Sequence, residues 1–429
     1  MSTSKPTNST LSTTPLKSLL GRLDSIARAT GLIQRFSRKF SAEGFLLTLF
    51  HAVCHGNASF RAMAVTLDEF QVSSLARQSL HQRFKPKTIS FLQAVLASLL
   101  IDHQADSLGR MRFSRILVQD SSQFWMNRKN SRHFRAVANK SGETSGAKID
   151  LIMDLQSGGF VDCREAAGST QDRTLGPRLL DEVREGDLVI RDLGYFDMAG
   201  FQRIEEVGAH WISRLHATAE VILNNDKPLE ILLQSTVQST LDLRVQVTAK
   251  RHRVRLIAIR LPEEIANRRR QQKKDKRTKN KTSPKKGTLI REGWNLYITD
   301  LKDDQCSVEE LVRFYEQRWQ IEIQFRAIKQ STAMKKAMQR ITNRNHLQAL
   351  MYAVMIFSTL TARVYRMIAS TLAKPFCLSI ERVANWLSQS LTFLRSLDEI
   401  LKYDLRHLLH DKRKRKTLRA LNIKLVDLN

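Results

Sequence analysis

Three acidic residues of the 429-residue chain stand apart from its other carboxylates by what surrounds them. Asp120 closes the apolar run RILVQD and Asp192 closes DLVIRD, so each is expected at the end of a β-strand, where open α/β sheets hold their ligands. Glu322 lies in FYEQRWQIEIQFRAIKQ, residues 314–330, which reads as one helix carrying two stripes. On a 3.6-residue spiral Tyr315, Arg318, Glu322, Arg326 and Lys329 fall within roughly 80° of one another, beside an apolar strip of Phe314, Ile321, Phe325 and Ile328. Left alone, such charges form a solvated face of weak ion pairs. Brought together, three carboxylates repel and raise one another's pKa unless a cation lies between them. Hard oxygen donors suit Mg²⁺, and two such ions about 3.5 to 4 Å apart serve an in-line phosphoryl displacement. The pattern reads as acids for metal and cations for phosphate.

The bulk composition points to the same partner. With 70 Lys and Arg against 42 Asp and Glu, the chain carries a formal charge of +28, which favours a large polyanion, nucleic acid above all. Two segments, 268–286 and 411–419, hold about half of that excess; the body is basic as well, as an extended DNA surface requires. Hydrophobic residues make up 42%, enough for two or three globular domains and too many for general disorder. The four cysteines, Cys54, Cys163, Cys306 and Cys377, form no CxxC pair or disulfide pattern and suit a reducing cytoplasm. His51, Cys54 and His55 lie close together but lack the further ligands a zinc site needs. The most apolar run, HLQALMYAVMIFSTLTARVYR, is short for a membrane span and reads as a buried helix, so no membrane partner is expected.

Residues 1–14 read as a disordered tail and 15–105 as a helical N-terminal domain. Within the latter, SFRAMAVTL, DEFQVS and SLARQSLHQRF suggest a helix-turn-helix capped by Ser73 or Ser74 and exposing Arg77, Gln78, His81 and Arg83. From 112 to 216 the order β-β-β-α-β-α-β describes a mixed sheet flanked by helices. Further strands occupy 217–292, with 268–286 expected as a disordered basic loop. A strand at 294–301, a capping box of Ser307 and Glu310, and the helix of Glu322 follow in 293–345. Helices then run through 346–429 to a basic tail.

Tyr315, Arg318, Glu322 and Lys329, at these spacings, resemble the Tyr-Arg-Glu-Lys signature of the insertion-sequence-four family of bacterial DDE transposases. Asp120 in QDSSQF is similar to that family's first catalytic acid and Asp192 in RDLGYFD to its second. Ser121 and Ser122 depart from the glycine that many relatives have after the first acid. The resemblance implies an α/β fold with an RNase H-like core, interrupted by a β-rich insertion between Asp192 and Glu322. It also implies that Tyr315, Arg318 and Lys329 hold DNA; Arg326 joins them on helical geometry alone. Trp294 is either a base-stacking residue, as in similar transposases, or a buried core tryptophan.

The function expected is a transposase that binds the inverted-repeat ends of an insertion sequence as a homodimer. It cleaves them with two Mg²⁺ ions, for which Mn²⁺ would substitute, forms hairpin ends and joins them to target double-stranded DNA. A cytoplasmic, nucleoid-associated location follows. The alternatives are a non-catalytic helix-turn-helix regulator derived from a transposase, and an RNase H-like nuclease without strand transfer.

Overall fold

Helical periodicity from residue 15 onward takes shape as five helices: α1 (Pro15–Ala29), α2 (Ala42–His55), α3 (Phe60–Phe70), α4 (Arg77–His81) and α5 (Pro86–Gln104). The computed structural model describes residues 15–34, 40–70, 75–104, 112–137, 145–217, 219–223, 226–248, 251–279, 286–371, 378–389, 391 and 405–410. The expected tail at 1–14, the basic segment 411–419, Ser73 and Ser74 lie outside these. The helix expected over SLARQSLHQRF is only one turn long and has Ala76 at its N-cap. It ends early because Phe84 is buried in the core and Pro86 starts α5, so the chain turns between them. Arg77, Gln78 and His81 are exposed as expected, whereas the Arg83 guanidinium lies 3.7 Å over the ring of Phe40.

The sheet begins with three antiparallel strands, β1 (Ile116–Trp125), β2 (Gly146–Asp154) and β3 (Gly159–Ala167). Short helices α6 (Asp172–Leu175) and α7 (Pro177–Leu180) lead to β4 (Leu188–Arg191), then α8 (Met198–Glu206) and β5 (His210–Arg214). All four residues of β4 are buried, as befits a parallel strand covered on both faces. Next come β6 (Val221–Leu223), α9 (Leu229–Ser235), β7 (Thr240–Val247), β8 (His252–Arg260), α10 (Glu263–Lys279), α11 (Lys286–Arg291) and β9 (Trp294–Thr299). The nine strands form one sheet, ordered β3-β2-β1-β4-β5-β9-β8-β7-β6. β1, β4 and β5 run parallel, and β9 joins the later strands to the earlier ones by pairing antiparallel with both β5 and β8.

The basic segment expected as a disordered loop is instead largely helical. α10 extends to Lys279, and residues 280–285 lie outside the described residues. Arg, Lys and Gln are good helix formers, and Arg270 to Glu263, Gln271 to Asp275 and Arg268 to Glu264 tie successive turns.

The remaining helices are α12 (Val308–Glu316), α13 (Trp319–Ser331), α14 (Met334–Met338), α15 (Arg344–Thr371) and α16 (Ile380–Gln389). Ser307 and Glu310 form the expected capping box at the start of α12. α15 is long and apolar enough to cross a membrane, but 94% of its apolar window is buried inside the protein. It packs with α2, α5 and the β1–β3 end of the sheet in one apolar cluster.

The helix of Glu322 is not one regular helix. The amides of Gln317, Arg318, Gln320 and Ile321 bond to the carbonyls three residues back, a 3₁₀ turn between α12 and α13. That turn divides the apolar strip: Phe314 packs edge-on to Phe113 at 5.6 Å, while Ile321, Phe325 and Ile328 enter the cluster shared with Val118 and Phe124 of β1. Removing Phe325, 5% exposed, should therefore loosen the base on which Glu322 stands. Phe325→Ala is expected to lower stability by about 3–5 kcal/mol in denaturant unfolding. Phe325→Leu should recover most of the loss; an Ala variant within about 1 kcal/mol of the parent would show that the helix is docked by other contacts.

Candidate functional site

Backbone register brings the first two acids together. Val118 of β1 stands opposite Ile190 of β4 in parallel pairing, and two residues further along the two chains come Asp120 and Asp192. Asp192 does follow the last residue of its strand. Asp120 does not: β1 continues to Trp125 because β2 pairs with it along its full length, while β4 stops at Arg191. Side chains alternate along a strand. Val118 and Phe124 face α13, so Asp120 points to that side, and Gln119 points to the other.

Gln119 and Arg191, each preceding an acid, anchor the two strands from behind. Gln119 Nε2 donates to the carbonyl of Leu175 at 3.0 Å and to Asp150 at 3.0 Å, and Arg191 donates to the carbonyl of Gly176 at 3.0 Å. Tyr195 adds its hydroxyl to Asp150 at 3.3 Å. Both acid-bearing strands are thus tied to the turn between α6 and α7. Burial raises the pKa of Asp150 to about 6, against the pull of Gln119 and Arg178.

α12 and α13 deliver the third acid and a cation. Arg318, in the 3₁₀ turn, donates to Glu322 at 2.6 Å and lies 3.9 Å from Asp192. Three residues per turn set Tyr315 and Arg318 above one another. Tyr315 is buried, its ring 5.2 Å from that of Tyr297, and its pKa is driven up by burial and by the charge of Asp192. Lys329 lies 5.5 Å over the ring of Phe124; burial lowers its pKa, and the charge of Asp120 pulls the other way.

Asp120 records the crowding. Burial raises its pKa to about 6, with Asp192 and Asp172 adding to the rise while the Ser121 amide, at 2.8 Å, and Arg318 oppose it. Asp172 was not visible as a site residue in the sequence. Its carboxylate accepts from Ser121 Oγ at 2.7 Å and Lys148 Nζ at 2.6 Å. A methyl group at Gly194, in the turn after Asp192, would lie 3.4 Å from it. The signals for this group are the lone lysine in the apolar strand AKIDLIMDL and Ser121 directly after Asp120.

Two expected DNA-binding residues stand elsewhere. Arg326 is exposed and reaches toward Glu381 of α16 at 3.6 Å, because one further helical turn carries it past the acids. Trp294 is 4% exposed, at the start of β9, with the Arg260 guanidinium 4.3 Å over its ring; of its two readings, this structure has the buried one. Among the described residues no three His, Cys, Asp or Glu side chains are arranged to hold a metal ion, the His51, Cys54 and His55 group included. The acids nonetheless have the chemistry for one: three hard oxygen donors, one within β1 and one just past the end of β4, with Arg318 supplying the positive charge.

Known proteins carry related sequences. A family model described as "Transposase DDE domain" matches residues 112–360, more than half of the chain. The transposase for insertion sequence element IS231B of Bacillus thuringiensis subsp. berliner is 29% identical over 340 residues, covering 72% of this chain and 70% of that protein. The transposase for IS1151 of Clostridium perfringens is 20% identical over 336 residues, covering 72% and 71%. Among solved structures, a piggyBac transposase synaptic complex with hairpin DNA aligns over 95% of this chain and 85% of that one, with a TM-score of 0.47 and 10% identity. That likeness is too loose to carry an argument.

The raised pKa of Asp120 has a measurable consequence in metal-free buffer. A carboxyl whose folded pKa lies above its unfolded value is tolerated when protonated and penalised when charged, so the penalty grows as pH rises from about 4 through about 6. Asp120→Asn should melt above the parent at pH 7.5, and the gain should vanish below pH of about 4. A variant that melts below the parent at pH 7.5 would show that Asp120 is stabilised, not crowded, in the folded protein.

Proposed function

The chain belongs to the transposase DDE domain family, and from that premise we propose that Asp120, Asp192 and Glu322 cut and join DNA at the ends of an insertion sequence. The relatives named for IS231 elements support a transposase of that type. The single observation that supports the residue assignment is that Arg318 bonds Glu322 and lies 3.9 Å from Asp192, while its charge also acts on Asp120.

The parallel β1–β4 pair, with β2 reversed beside β1, supports an RNase H-like core spanning 112–216 and 293–345. Strands β6–β8 and α10 make the β-rich insertion of 217–292. The helices of 15–105 are the proposed DNA-binding domain and 346–429 a helical C-terminal region. The insertion-sequence-four assignment rests on the Tyr315, Arg318, Glu322 and Lys329 pattern.

Asp120, Asp192 and Glu322 are the residues that would hold Mg²⁺ or Mn²⁺, which when bound activates the attacking oxygen and stabilises the leaving one. The chain's own contribution is orientation. The sheet register holds Asp120 and Asp192 side by side; α13 holds Glu322 at the sheet by its apolar side. Arg318 and Lys329 are cations within reach of the acids and would bind the phosphates on either side of the cut. For Arg318 to do so it must exchange its carboxylate partners for a phosphate. Tyr315 supplies a hydroxyl on the same line. Two ends brought together imply a homodimer on DNA, acting at the nucleoid in the cytoplasm. A hairpin intermediate follows from the family resemblance; Trp294 lends it no exposed stacking face here.

Asp120→Asn, Asp192→Asn and Glu322→Gln, made singly, should each reduce end cleavage of a plasmid-borne element by about 10³-fold or more, with DNA binding retained. Cleavage at the parent rate in any of the three removes that residue from the chemistry.

A further inference from the structure

A cavity of ≈ 400 Å³ opens beside the turn that follows Asp192, bounded by Leu193, the end of β5, the start of β9 and one side of α10. Four cations line it: Arg214, Arg269, Lys273 and Arg291. Two of them are neutralised. Lys273 lies 3.2 Å from Glu292, and the buried Arg291 pairs with Glu230 at 2.7 Å and donates to the carbonyls of Ala217 and Ala219. The other two have no carboxylate. The guanidinium of Arg214, a half-buried residue, makes no hydrogen bond or ion pair among the described residues. Arg269 donates to the side-chain oxygen of Asn295 at 3.0 Å, an uncharged acceptor that aims the guanidinium without cancelling it.

These two uncompensated charges are close enough to act on one group. Burial raises the pKa of the Tyr297 hydroxyl, and Arg214 and Arg269 both pull against it, with Glu316 of α12 acting the other way. Arg214 also acts on Tyr315, as do Asp192 and Arg318. Two like charges in a half-buried space repel unless an anion lies between them. Guanidinium groups suit the oxygens of a phosphate, which two of them can share through forked hydrogen bonds.

We propose that this cavity is a phosphate-binding site for the DNA strand that passes the acids, with Arg214 and Arg269 holding one non-scissile phosphodiester between them. The assignment rests on the transposase reading, which supplies the strand; it adds a contact on the insertion side of Asp192 that the Tyr315, Arg318 and Lys329 line does not contain. The strand would run from Lys329, past the acids and Tyr315, to the face of α10.

The test is the salt dependence of binding to a fluorescein-labelled mixed-sequence duplex, read by anisotropy. Loss of one phosphate contact lowers the slope of log K against log salt by about 0.9. Arg214→Gln combined with Arg269→Gln should show that drop, and the corresponding double Lys variant should keep the parent slope. A parent slope in a folded Gln variant overturns the proposal. Arginine modification of the unmutated protein by phenylglyoxal gives an answer that does not depend on any variant folding. Duplex should protect Arg214 and Arg269 from the reagent, and equal labelling with and without duplex also overturns the site. Both measurements read binding, so they separate from the cleavage assay. An unchanged slope beside inactive acid variants defeats this site alone, whereas acid variants that cleave normally defeat the transposase chemistry.

Discussion

The placement of one guanidinium among like charges is the constraint on which this protein's site depends. Carboxylates brought together repel, the more so where burial removes the screening of water. Arg318 meets that repulsion by lying against both Glu322 and Asp192. Asp120, which gains less from it, keeps a raised pKa. In the function proposed above, a metal ion would take over that position and Arg318, once released, would bind phosphate, so the one residue would couple the charge balance of the acids to the arrival of DNA.

Such an arrangement needs rigid supports, and the fold supplies three. Parallel pairing of β1 with β4 fixes the spacing of Asp120 and Asp192. Gln119 and Arg191 hold both strands to the α6–α7 turn from the opposite face. Phe325 and its apolar neighbours seat α13 on the sheet. The 3₁₀ turn at Gln317 and Arg318 is the softer element, since its bonds are shorter-range than those of the helices it joins. It lies where Arg318 would have to move.

Much of this was legible in the sequence because it rests on local patterns. The strands carrying both aspartates, the capping box of Ser307 and Glu310 and the buried nature of α15 follow from periodicity and composition. What failed was tertiary. The end of β1 depends on β2, a partner 30 residues on, and no apolar run shows it. The break in the Glu322 helix arises from docking on two different clusters, and the spiral that grouped Arg326 with the acids assumed an unbroken helix. Composition alone misread α10, in which Arg268, Arg270 and Lys273 are paired along the helix and across it. Asp172 was missed because a single acid in a polar stretch has no signature until Ser121 and Lys148 are folded against it.

The most direct test of the account is anomalous diffraction from crystals of the protein bound to its cleaved DNA end in Mn²⁺. The account predicts manganese peaks within coordination distance of Asp120, Asp192 and Glu322, with Arg318 turned from the carboxylates onto a DNA phosphate. Manganese bound elsewhere, or Arg318 still paired with Asp192 and Glu322 in the DNA complex, would contradict it.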